Sequence, residues 1–401
     1  MSQHANQPPR IPWRSRTVQV VLLSTALAPL GVPLIGPTLP VFRDAFSLTD
    51  AEASLLVAGY FVVGIVLSPF IGVLTDRVGR KRMLVTGLLT FGLLGGGIAF
   101  APSFEVVMAL RVLQGTGAAA IFITTVTIIG DTFEGANRNT VLGVNIAVLS
   151  ATAALFPVLG GVLVGFGWHV PFLAYFAAVP VAAFAAVALD EPTREPSGRG
   201  VAYLREAVGA IATPAILGLF GATFLTEFLA FGVVFTAVPF ILAPALSPVL
   251  IGGVILAAEA TSTVVAAGSG RLARSLSNVQ IIALGFACYG IGFLATWFVA
   301  DSLAVAGALV IVGAGIGLLL PTVDAAVSNR VVAEYRAGAF SLRNSTTFSG
   351  RAAGPVTFAG LAAAGVVEYG DLLLAAAVVA FGAALLAVLS KQYLSVYRRI
   401  R

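Results

Sequence analysis

Charged residues are scarce in this chain: Asp, Glu, Lys and Arg make up only 10% of its 401 amino acids. Soluble domains carry about 25% charged residues, because a surface in contact with water must be largely polar. Apolar residues make up 58% of the chain, and the mean hydropathy is +0.99. This composition excludes a water-soluble fold and places the chain in the integral membrane class.

Cysteine, histidine and lysine are scarce as well. The single cysteine, Cys288, excludes an internal disulfide framework, and the two histidines, His4 and His169, leave no ligand set for zinc. Neither Lys81 nor Lys391 follows the glycines of a phosphate-binding loop, so an ATP-driven pump or a kinase is not supported. We expect no cofactor, no metal and no enzymatic activity.

Long apolar runs fill most of the chain. A helix needs about 20 mostly apolar residues to cross the hydrocarbon layer of a membrane. The runs are continuous and do not alternate as barrel strands do, so they predict an all-α integral membrane protein with twelve transmembrane helices. From the first helix to the twelfth, the predicted spans are residues 18–42, 52–75, 83–101, 104–130, 138–165, 168–189, 214–242, 248–269, 277–299, 302–327, 340–365 and 370–390.

Arginine is concentrated on one side of this arrangement, and Arg43 is the one basic residue clearly on the other side. Because cytoplasmic loops retain Lys and Arg, we expect a multi-pass cell-membrane protein whose tails, residues 1–17 and 391–401, are cytoplasmic. The polar stretch 190–213 then forms a central cytoplasmic loop. The net charge of +5 is a topology signal, so we expect a lipid bilayer as partner and no nucleic acid.

The two halves of the chain repeat. Shifting the sequence by 198 positions aligns identical residues in loops and helices without a gap. The repeat predicts two pseudo-symmetric six-helix bundles, residues 18–189 and 214–390, related by an axis along the membrane normal. The aligned pairs are Gly72 with Gly270, Leu74 with Leu272, Gly115 with Gly313, Gly117 with Gly315, Arg138 with Arg336, and Pro157 with Pro355.

The loop between the second and third predicted helices reads GVLTDRVGRKR. Its glycines permit a tight turn and close helix approach, and its carboxylate lies among cations near a helix N-terminus. The loop resembles the signature loop of the major facilitator superfamily, and this resemblance spans essentially the whole chain. It implies a conformational latch, with Asp131 as its acidic partner; the alternative is an ordinary basic cytoplasmic loop. The matching positions are Gly72, Asp76, Arg77, Gly79, Arg80 and Lys81.

The fourth predicted helix contains RVLQGTGAA, which is similar to the fourth-helix motif of the drug and proton antiporter branch of that family. Arg111 lies within the membrane, where an unpaired cation is costly, so it is a candidate for substrate or proton coupling, with Gln114 as a polar partner. The alternative is a structural arginine that extends toward the outer interface.

The fifth predicted helix partly matches the glycine-rich motif of antiporters. Gly143, Pro157, Gly160 and Gly161 match, whereas Thr152 and Phe156 stand where glycines are expected. This departure weakens the prediction of antiport. Helix packing alone accounts for much of the pattern, since proline and glycine in membrane helices often mark bends and close contacts.

Three ionisable residues lie deep in apolar runs: Glu227, Glu259 and Arg351. Charge at the bilayer centre costs several kcal/mol, so each should face a partner, a water-filled cavity or a transported ion. Burial favours the protonated form of a carboxyl group, as a proton carrier requires. We assign proton coupling to Glu227 first and Glu259 second. The alternative is a charge pair that holds helices together without titrating.

Helical spacing places two sets of polar residues on cavity-facing surfaces. Asn344, Thr347 and Arg351 share one face of the eleventh helix, and Thr223 shares a face of the seventh with Glu227. Apolar walls with a few polar groups suit an amphiphilic solute. Aromatic lining is expected from Phe220, Phe224, Phe228 and Phe231.

These features favour a monomeric secondary transporter with a small-molecule substrate. The leading hypothesis is proton-coupled efflux of amphiphilic or drug-like molecules by alternating access. One alternative is proton-coupled uptake or uniport of a small metabolite, favoured by the altered fifth-helix motif. The alternative of another class is a non-transporting membrane sensor or a membrane-embedded enzyme.

Overall fold

The structure is a computed structural model that describes residues 11–191, 206, 208–209, 211–299 and 301–400, with the backbone alone for residues 72, 73, 76, 333, 337 and 391–400. Every regular element in this part of the chain is helical. Much of the predicted central loop 190–213 lies outside the described residues, as do residues 1–10 of the N-terminal tail. The predicted domain boundaries therefore stay a prediction.

The helices follow the predicted spans in order, with their ends shifted by a few residues, except that the twelfth continues ten residues beyond its predicted end at 390, into the predicted tail. They are Arg16–Leu27 and Leu39–Phe46 (first), Asp50–Val78 (second), Arg80–Gly97 (third), Phe104–Thr132 (fourth), Gly135–Val164 (fifth), Val170–Ala188 (sixth), Pro214–Leu242 (seventh), Pro248–Leu272 (eighth), Asn278–Phe298 (ninth), Ser302–Arg330 (tenth), Arg336–Ala363 (eleventh) and Tyr369–Ile400 (twelfth).

Among the described residues, ten of these helices are long and apolar enough to cross a membrane. The first has only a shorter apolar segment, Arg16–Leu30. The eleventh is long enough, but its arginines and many Ser, Thr and Gly residues lower its hydropathy. The all-helical membrane fold is confirmed, and the count of twelve spanning helices stays a prediction.

The first helix is interrupted, although the sequence predicted one continuous span over residues 18–42. Short 3-10 turns occupy Ala28–Leu30 and Gly36–Thr38, with Pro29 and Pro37 inside them. Proline has no amide hydrogen and clashes with the preceding helical turn, so it breaks the α-helical hydrogen-bond ladder. The break frees backbone carbonyl groups that side chains of other helices then bind.

Equivalent helices of the two halves pack in equivalent ways. In the first half, the fourth helix packs on the second and third, and the third packs on the sixth; in the second half, the tenth packs on the eighth and ninth, and the ninth on the twelfth. The predicted pseudo-symmetry of two bundles is therefore present in the packing. The bundles meet along two seams, the second helix against the eleventh and the fifth against the eighth.

One end of the molecule carries the turns that precede the second, fourth and sixth helices. An aromatic cluster joins these turns: the ring centroid of Phe42 lies 6.3 Å from that of Phe104 and 5.8 Å from that of Trp168. We call this end the closed side. The other end, where the second helix ends at Val78 and the eighth at Leu272, is called the open side.

The seam between the fifth and eighth helices explains these names. Near the closed side, a Cβ atom on Gly161 would collide with the backbone of Pro248, and one on Gly252 would collide with the backbone of Pro157. Gly143 and Gly270 lie on the same two faces, eighteen residues along each helix from these contacts, which is five turns and about 27 Å. A Cβ atom added at either position would meet no atom of a neighbouring helix within 4 Å. The two helices therefore touch at the closed side and diverge toward the open side.

Candidate functional site

The centre of the second bundle contains a buried ion pair between the seventh and eleventh helices. Arg351 donates from Nε to Glu227 Oε2 at 2.9 Å and from Nη2 to Glu227 Oε1 at 3.0 Å. The side chain of Glu227 is 4% exposed and that of Arg351 is 27% exposed. A two-point bond of this kind fixes both charged groups in one geometry.

Glycines on the eleventh helix make the ion pair possible. A Cβ atom on Gly350 would lie 2.6 Å from the carbonyl oxygen of Phe224, and one on Gly354 would collide with the carbonyl of Phe228. Only helices this close bring Arg351 within bonding distance of Glu227. The stretch GRAAGP, residues 350–355, is therefore a packing surface for the seventh helix.

The seventh helix changes form just beyond Glu227. Residues Ala230–Ala237 are π-helical, and the hydroxyl of Thr236 donates to the carbonyl oxygen of Phe231 at 2.8 Å. A π-helical turn holds one extra residue and is frequent at functional sites. Here it orients Phe231, whose ring centroid lies 4.9 Å from the Arg351 guanidinium carbon.

Arg351 also contacts the first bundle. Its guanidinium carbon lies 5.5 Å from the ring centroid of Phe61 on the second helix, and Phe61 packs edge-on against Phe231 at 5.2 Å. A cation over an aromatic ring is stabilised by the negative face of that ring. The ion pair is thus held from both bundles, so a relative movement of the bundles changes its surroundings.

Glu259 lies close enough to interact electrostatically with both Glu227 and Arg351. Within the described part of the chain, no hydrogen bond or ion pair reaches its carboxylate. The cluster therefore holds two carboxylates and one guanidinium, an excess of one negative charge when both glutamates are ionised. Glu259 is half-buried, and a charge at this depth in the membrane without a partner is costly unless it meets water or binds a proton or a cation.

A second ion pair lies on the tenth and eleventh helices, nearer the open side. Arg343 Nε and Asp324 Oδ1 are 3.0 Å apart, although the two groups are not aligned as a hydrogen bond. The sequence analysis did not single out this pair. Each residue lies within a predicted membrane span, and that position was the signal that would have identified it.

Of the polar residues predicted to face a cavity, only some have hydrogen-bonding groups that are still available to a ligand. Thr223 is buried and donates to the carbonyl oxygen of Leu219 at 3.0 Å, so its hydroxyl hydrogen is already used. The Thr347 hydroxyl is buried with no hydrogen-bond partner among the described residues, and Asn344 is half-buried. Thr347 therefore retains hydrogen-bonding capacity for a ligand.

The predicted aromatic lining divides between two surfaces. Phe231 contacts the ion pair, and Phe228 packs against Phe358 at 5.7 Å between ring centroids. Phe220 and Phe224 instead line an apolar groove of about 510 Å³. The groove residues of the eleventh helix lie on the face opposite Arg351, so these two rings do not line the central cluster.

Arg111 is fully buried, with 0% exposure, and therefore does not extend to the outer interface. Its Nε donates to the carbonyl oxygen of Leu56 at 2.8 Å, and its two terminal nitrogens bond to Gln114 Oε1, the Tyr175 hydroxyl and the carbonyl oxygen of Gly31. No carboxylate pairs with it among the described residues. Arg111 thus satisfies the carbonyl group of Gly31, which lies at the break in the first helix.

In the signature loop, Arg80 pairs with Asp131, and Arg80 Nε lies 3.0 Å from Asp131 Oδ2. Both side chains are almost fully buried, so the contact predicted from the resemblance is present. Gly79 has φ +99°, a conformation that residues other than glycine rarely adopt. Arg77 is exposed, and only the backbone is described for Gly72 and Asp76.

The sequence analysis missed Glu191. Its carboxylate accepts hydrogen bonds from the backbone amides of Arg80 and Lys81, the free amides at the start of the third helix. An acidic side chain at that end also opposes the helix dipole favourably. In the sequence Glu191 looks like one more polar residue of the central loop, because its partner is 111 positions away.

The glycines of the fifth-helix motif pack against two other helices, the first and the eighth. Gly160 faces the carbonyl of Leu34 in the interrupted first helix, and Gly161 faces Pro248 of the eighth. Pro157 meets Gly252, which has the reciprocal role on the eighth helix. Three of the four predicted positions therefore lie at the closed side, and Gly143 lies in open space.

A family model described as the Major Facilitator Superfamily matches residues 21–355, which is most of the chain. The chain belongs to the major facilitator superfamily. It is 29% identical to the Bacillibactin exporter of Bacillus subtilis (strain 168), over 83% of this chain and 86% of the relative. Over shorter stretches it is 32% identical to Multidrug resistance protein 2 of Bacillus subtilis (strain 168), covering 43% of this chain and 42% of the relative.

Quinolone resistance protein NorA of Staphylococcus aureus (strain MRSA252) is 29% identical over 41% of this chain and 42% of its own length. Among solved structures, a bacterial homologue of the human lysosomal transporter Spinster, in an inward-facing and occupied conformation, matches with a TM-score of 0.76. That match covers 97% of this chain and 98% of the other at 16% identity, so it supports the fold alone.

Family membership settles the class of protein. The chain is a multi-pass membrane transporter with a small-molecule substrate, and its relatives include a protein named as an exporter and proteins named for drug resistance. Members of this family are not enzymes, so the alternatives of a membrane sensor and a membrane-embedded enzyme are set aside. The described residues contain no group of three or more His, Cys, Asp or Glu able to hold a metal ion.

Proposed function

We propose that this protein exports small amphiphilic or drug-like molecules in exchange for protons, by alternating access. One observation carries the proposal: a cluster of charged residues deep in the membrane, with one carboxylate in excess, contacts both bundles, and these bundles touch at one end and diverge at the other. A site between two such bundles faces each side of the membrane in turn when the bundles rock. The exporter relatives support the outward direction of transport.

The ion pair provides a chemical basis for proton coupling. While Glu227 is ionised, Arg351 is held against the seventh helix. A proton on Glu227 removes the charge that binds Arg351, which is then free to interact with Glu259. A change of partner in the cluster alters the contacts of Arg351 with Phe61 and Phe231, and so links protonation to the relative position of the bundles.

Export requires the open side to be cytoplasmic. The open side carries the basic loops, and basic loops are retained in the cytoplasm. In this orientation, the described conformation gives cytoplasmic solutes access to the gap between the bundles. We further propose that a single chain in the cell membrane is the functional unit, because each bundle already provides one half of the site.

Proton-coupled uptake or uniport of a small metabolite is the second candidate. The observation in its favour is the altered fifth-helix motif, where Thr152 and Phe156 replace glycines expected of antiporters. The Thr152 hydroxyl donates to the carbonyl oxygen of Val148 at 2.8 Å, so it is satisfied within its own helix. The direction of proton-driven flux separates this candidate from export.

The decisive experiment measures uphill movement of ethidium, a lipophilic cation, in proteoliposomes with an imposed pH gradient. Glu227→Gln preserves size and hydrogen bonding but cannot exchange a proton. We expect it to lose uphill transport and to retain ethidium binding, because the change keeps the shape of the site but removes the group that would carry the proton. The exposed Glu105 provides the matched control, since Glu105→Gln should transport normally.

If Glu227→Gln still concentrates ethidium with normal proton dependence, the coupling site lies elsewhere, and Glu259→Gln becomes the next variant. If no pH gradient drives ethidium in either direction through the unmodified protein, proton-coupled transport of this class of molecule is refuted. Uphill flux into the compartment that corresponds to the cytoplasm would favour uptake.

A further inference from the structure

Four side chains from four helices meet at the closed side. Arg43 lies in the last turn of the first helix, Asp50 begins the second, Phe240 lies near the end of the seventh, and Tyr369 begins the twelfth. The first two belong to one bundle and the last two to the other. Neither the family motifs nor the central cluster includes any of these residues.

Asp50 is the centre of this group. Its Oδ1 accepts a hydrogen bond from Arg43 Nη1 at 2.8 Å, and its Oδ2 accepts one from the Tyr369 hydroxyl at 2.9 Å. The Asp50 side chain is 19% exposed, so water has limited access to it. Hydrogen bonds to an ionised carboxylate are roughly twice as strong as those between neutral groups.

Aromatic contacts reinforce the connection between the bundles. The guanidinium carbon of Arg43 lies 5.7 Å from the ring centroid of Phe240, and the rings of Phe240 and Tyr369 stack at 6.2 Å between centroids. Each side chain of the first bundle therefore contacts a side chain of the second. Hydrogen bonding to Asp50 also raises the pKa of Arg43, which keeps the guanidinium charged.

The position of these contacts gives them a conformational consequence. They lie where the two bundles touch, beyond the Gly161 and Gly252 contacts of the neighbouring seam. When the transporter opens toward this side, the bundles separate there, and the bond between Tyr369 and Asp50 must break because its two partners belong to different bundles. Contacts within one bundle, such as that between Arg43 and Asp50, do not need to break.

We propose that Arg43, Asp50, Phe240 and Tyr369 form a lock that holds the closed side shut, with Asp50 as its bridging residue. The lock rests on the alternating access of the proposed function. It sets how often the closed side opens in the absence of substrate. Removing the bridge shifts the population toward the conformation in which the closed side is open.

Asp44 provides a matched control. It also pairs with Arg43, at 2.8 Å between Nη2 and Oδ1, but it lies on the same helix as Arg43 and its side chain is 68% exposed. Asp44→Asn also removes one negative charge, six residues before Asp50, but it does not remove a bond to the second bundle. A purely electrostatic or nonspecific effect of a lost carboxylate would appear in this control too.

The test uses one spin label in each bundle at the closed side. Glu105 at the start of the fourth helix and Val366 in the turn before the twelfth are both exposed there and accept the labels. Cys288 is replaced by serine so that only these sites are labelled. The distance distribution is measured by pulsed electron spin resonance without substrate or pH gradient.

Tyr369→Phe and Asp50→Asn should each increase the ratio of long-distance to short-distance populations about tenfold, because each loses a charge-assisted hydrogen bond. Asp44→Asn should match the parent. Tyr369→Phe removes a single oxygen atom, so it keeps the lock testable even if Asp50→Asn folds poorly. The proposal is overturned if Tyr369→Phe and Asp50→Asn both give the same distance distribution as the parent. It is also overturned if Asp44→Asn shifts the distribution as much as these two variants do.

Ethidium flux is measured separately, so that the lock and the proposed function can fail independently. A lack of proton-driven flux in the parent would refute the proposed function. Unchanged distances in the lock variants together with normal flux would refute the lock alone.

Discussion

At the scale of the residue, the central question is what the Glu227–Arg351 ion pair contributes. The sequence identified both residues, because an ionisable side chain inside an apolar run is conspicuous. It did not identify which of the two deep glutamates pairs with Arg351. Pairing depends on the rotation of the seventh helix against the eleventh, and residues 124 positions apart carry no local signal of that rotation.

Arg351→Met tests the pair directly. This change leaves the Glu227 carboxylate buried without its partner, and we expect it to destabilise the protein by about 3 kcal/mol, near the low end for a broken buried pair because Arg351 is partly exposed. Glu227→Gln combined with Arg351→Met should recover much of that loss. Thermal unfolding in detergent gives the three values, and simple additivity of the two single changes would contradict a direct interaction.

Arg351→Lys separates charge from geometry at the same position. Lysine keeps the positive charge but lacks the planar fork that bonds both oxygens of Glu227. We expect stability between that of the parent and that of Arg351→Met, and a loss of proton-driven ethidium transport. Full transport activity with lysine would mean that the two-point bond has no role in coupling.

At the scale of the element, the seam between the fifth and eighth helices connects sequence to movement. The sequence pointed to Pro157, Gly160 and Gly161 but not to Gly252. Glycine is frequent throughout this chain, so only a partner helix distinguishes a packing glycine from an incidental one. The interruption of the first helix was likewise missed, although its prolines were visible, because prolines are tolerated in membrane helices.

Gly161→Ala and Gly252→Ala should both destabilise the described conformation, since each added Cβ would collide with the backbone of the opposite helix. Gly143 and Gly270 lie on the same two helix faces, and a Cβ atom added at either position would meet no neighbouring helix. The control changes Gly143→Ala and Gly270→Ala should stabilise the helices by about 0.5–1 kcal/mol, because alanine favours a helix over glycine. Thermal unfolding measures both effects. If the unfolding temperature shifts in the same direction in all four variants, the two helices do not touch at Gly161 and Gly252 as described.

At the scale of the whole molecule, the two-bundle architecture was predictable from the sequence. Which end of the molecule is closed was not. The constant offset of 198 between the halves predicted the equivalent packing of the fourth and tenth helices. Which end is closed depends on contacts such as that between Asp50 and Tyr369, which lie 319 positions apart. Polar residues at helix ends resemble ordinary loop residues, so nothing in the sequence connects these two.

Orientation in the membrane is a separate prediction at this scale. A cysteine placed at Ser197, with Cys288 replaced by serine, should react with a membrane-impermeant maleimide only from the cytoplasmic side, because the basic residues hold the central loop there. Intact and permeabilised cells provide the comparison. Labelling of Ser197→Cys from outside intact cells would reverse the orientation and with it the direction of the proposed export.

Alternating access is the central claim, and paired distances across the two ends of one protein test it most directly. Spin labels at Asn139 and Ser275 report on the open side, and labels at Glu105 and Val366 report on the closed side; all four residues are exposed. When ethidium and a pH gradient are applied, alternating access predicts that the open-side distance shortens while the closed-side distance lengthens. Distances that stay fixed at both ends during ethidium transport, or that lengthen together, would contradict it.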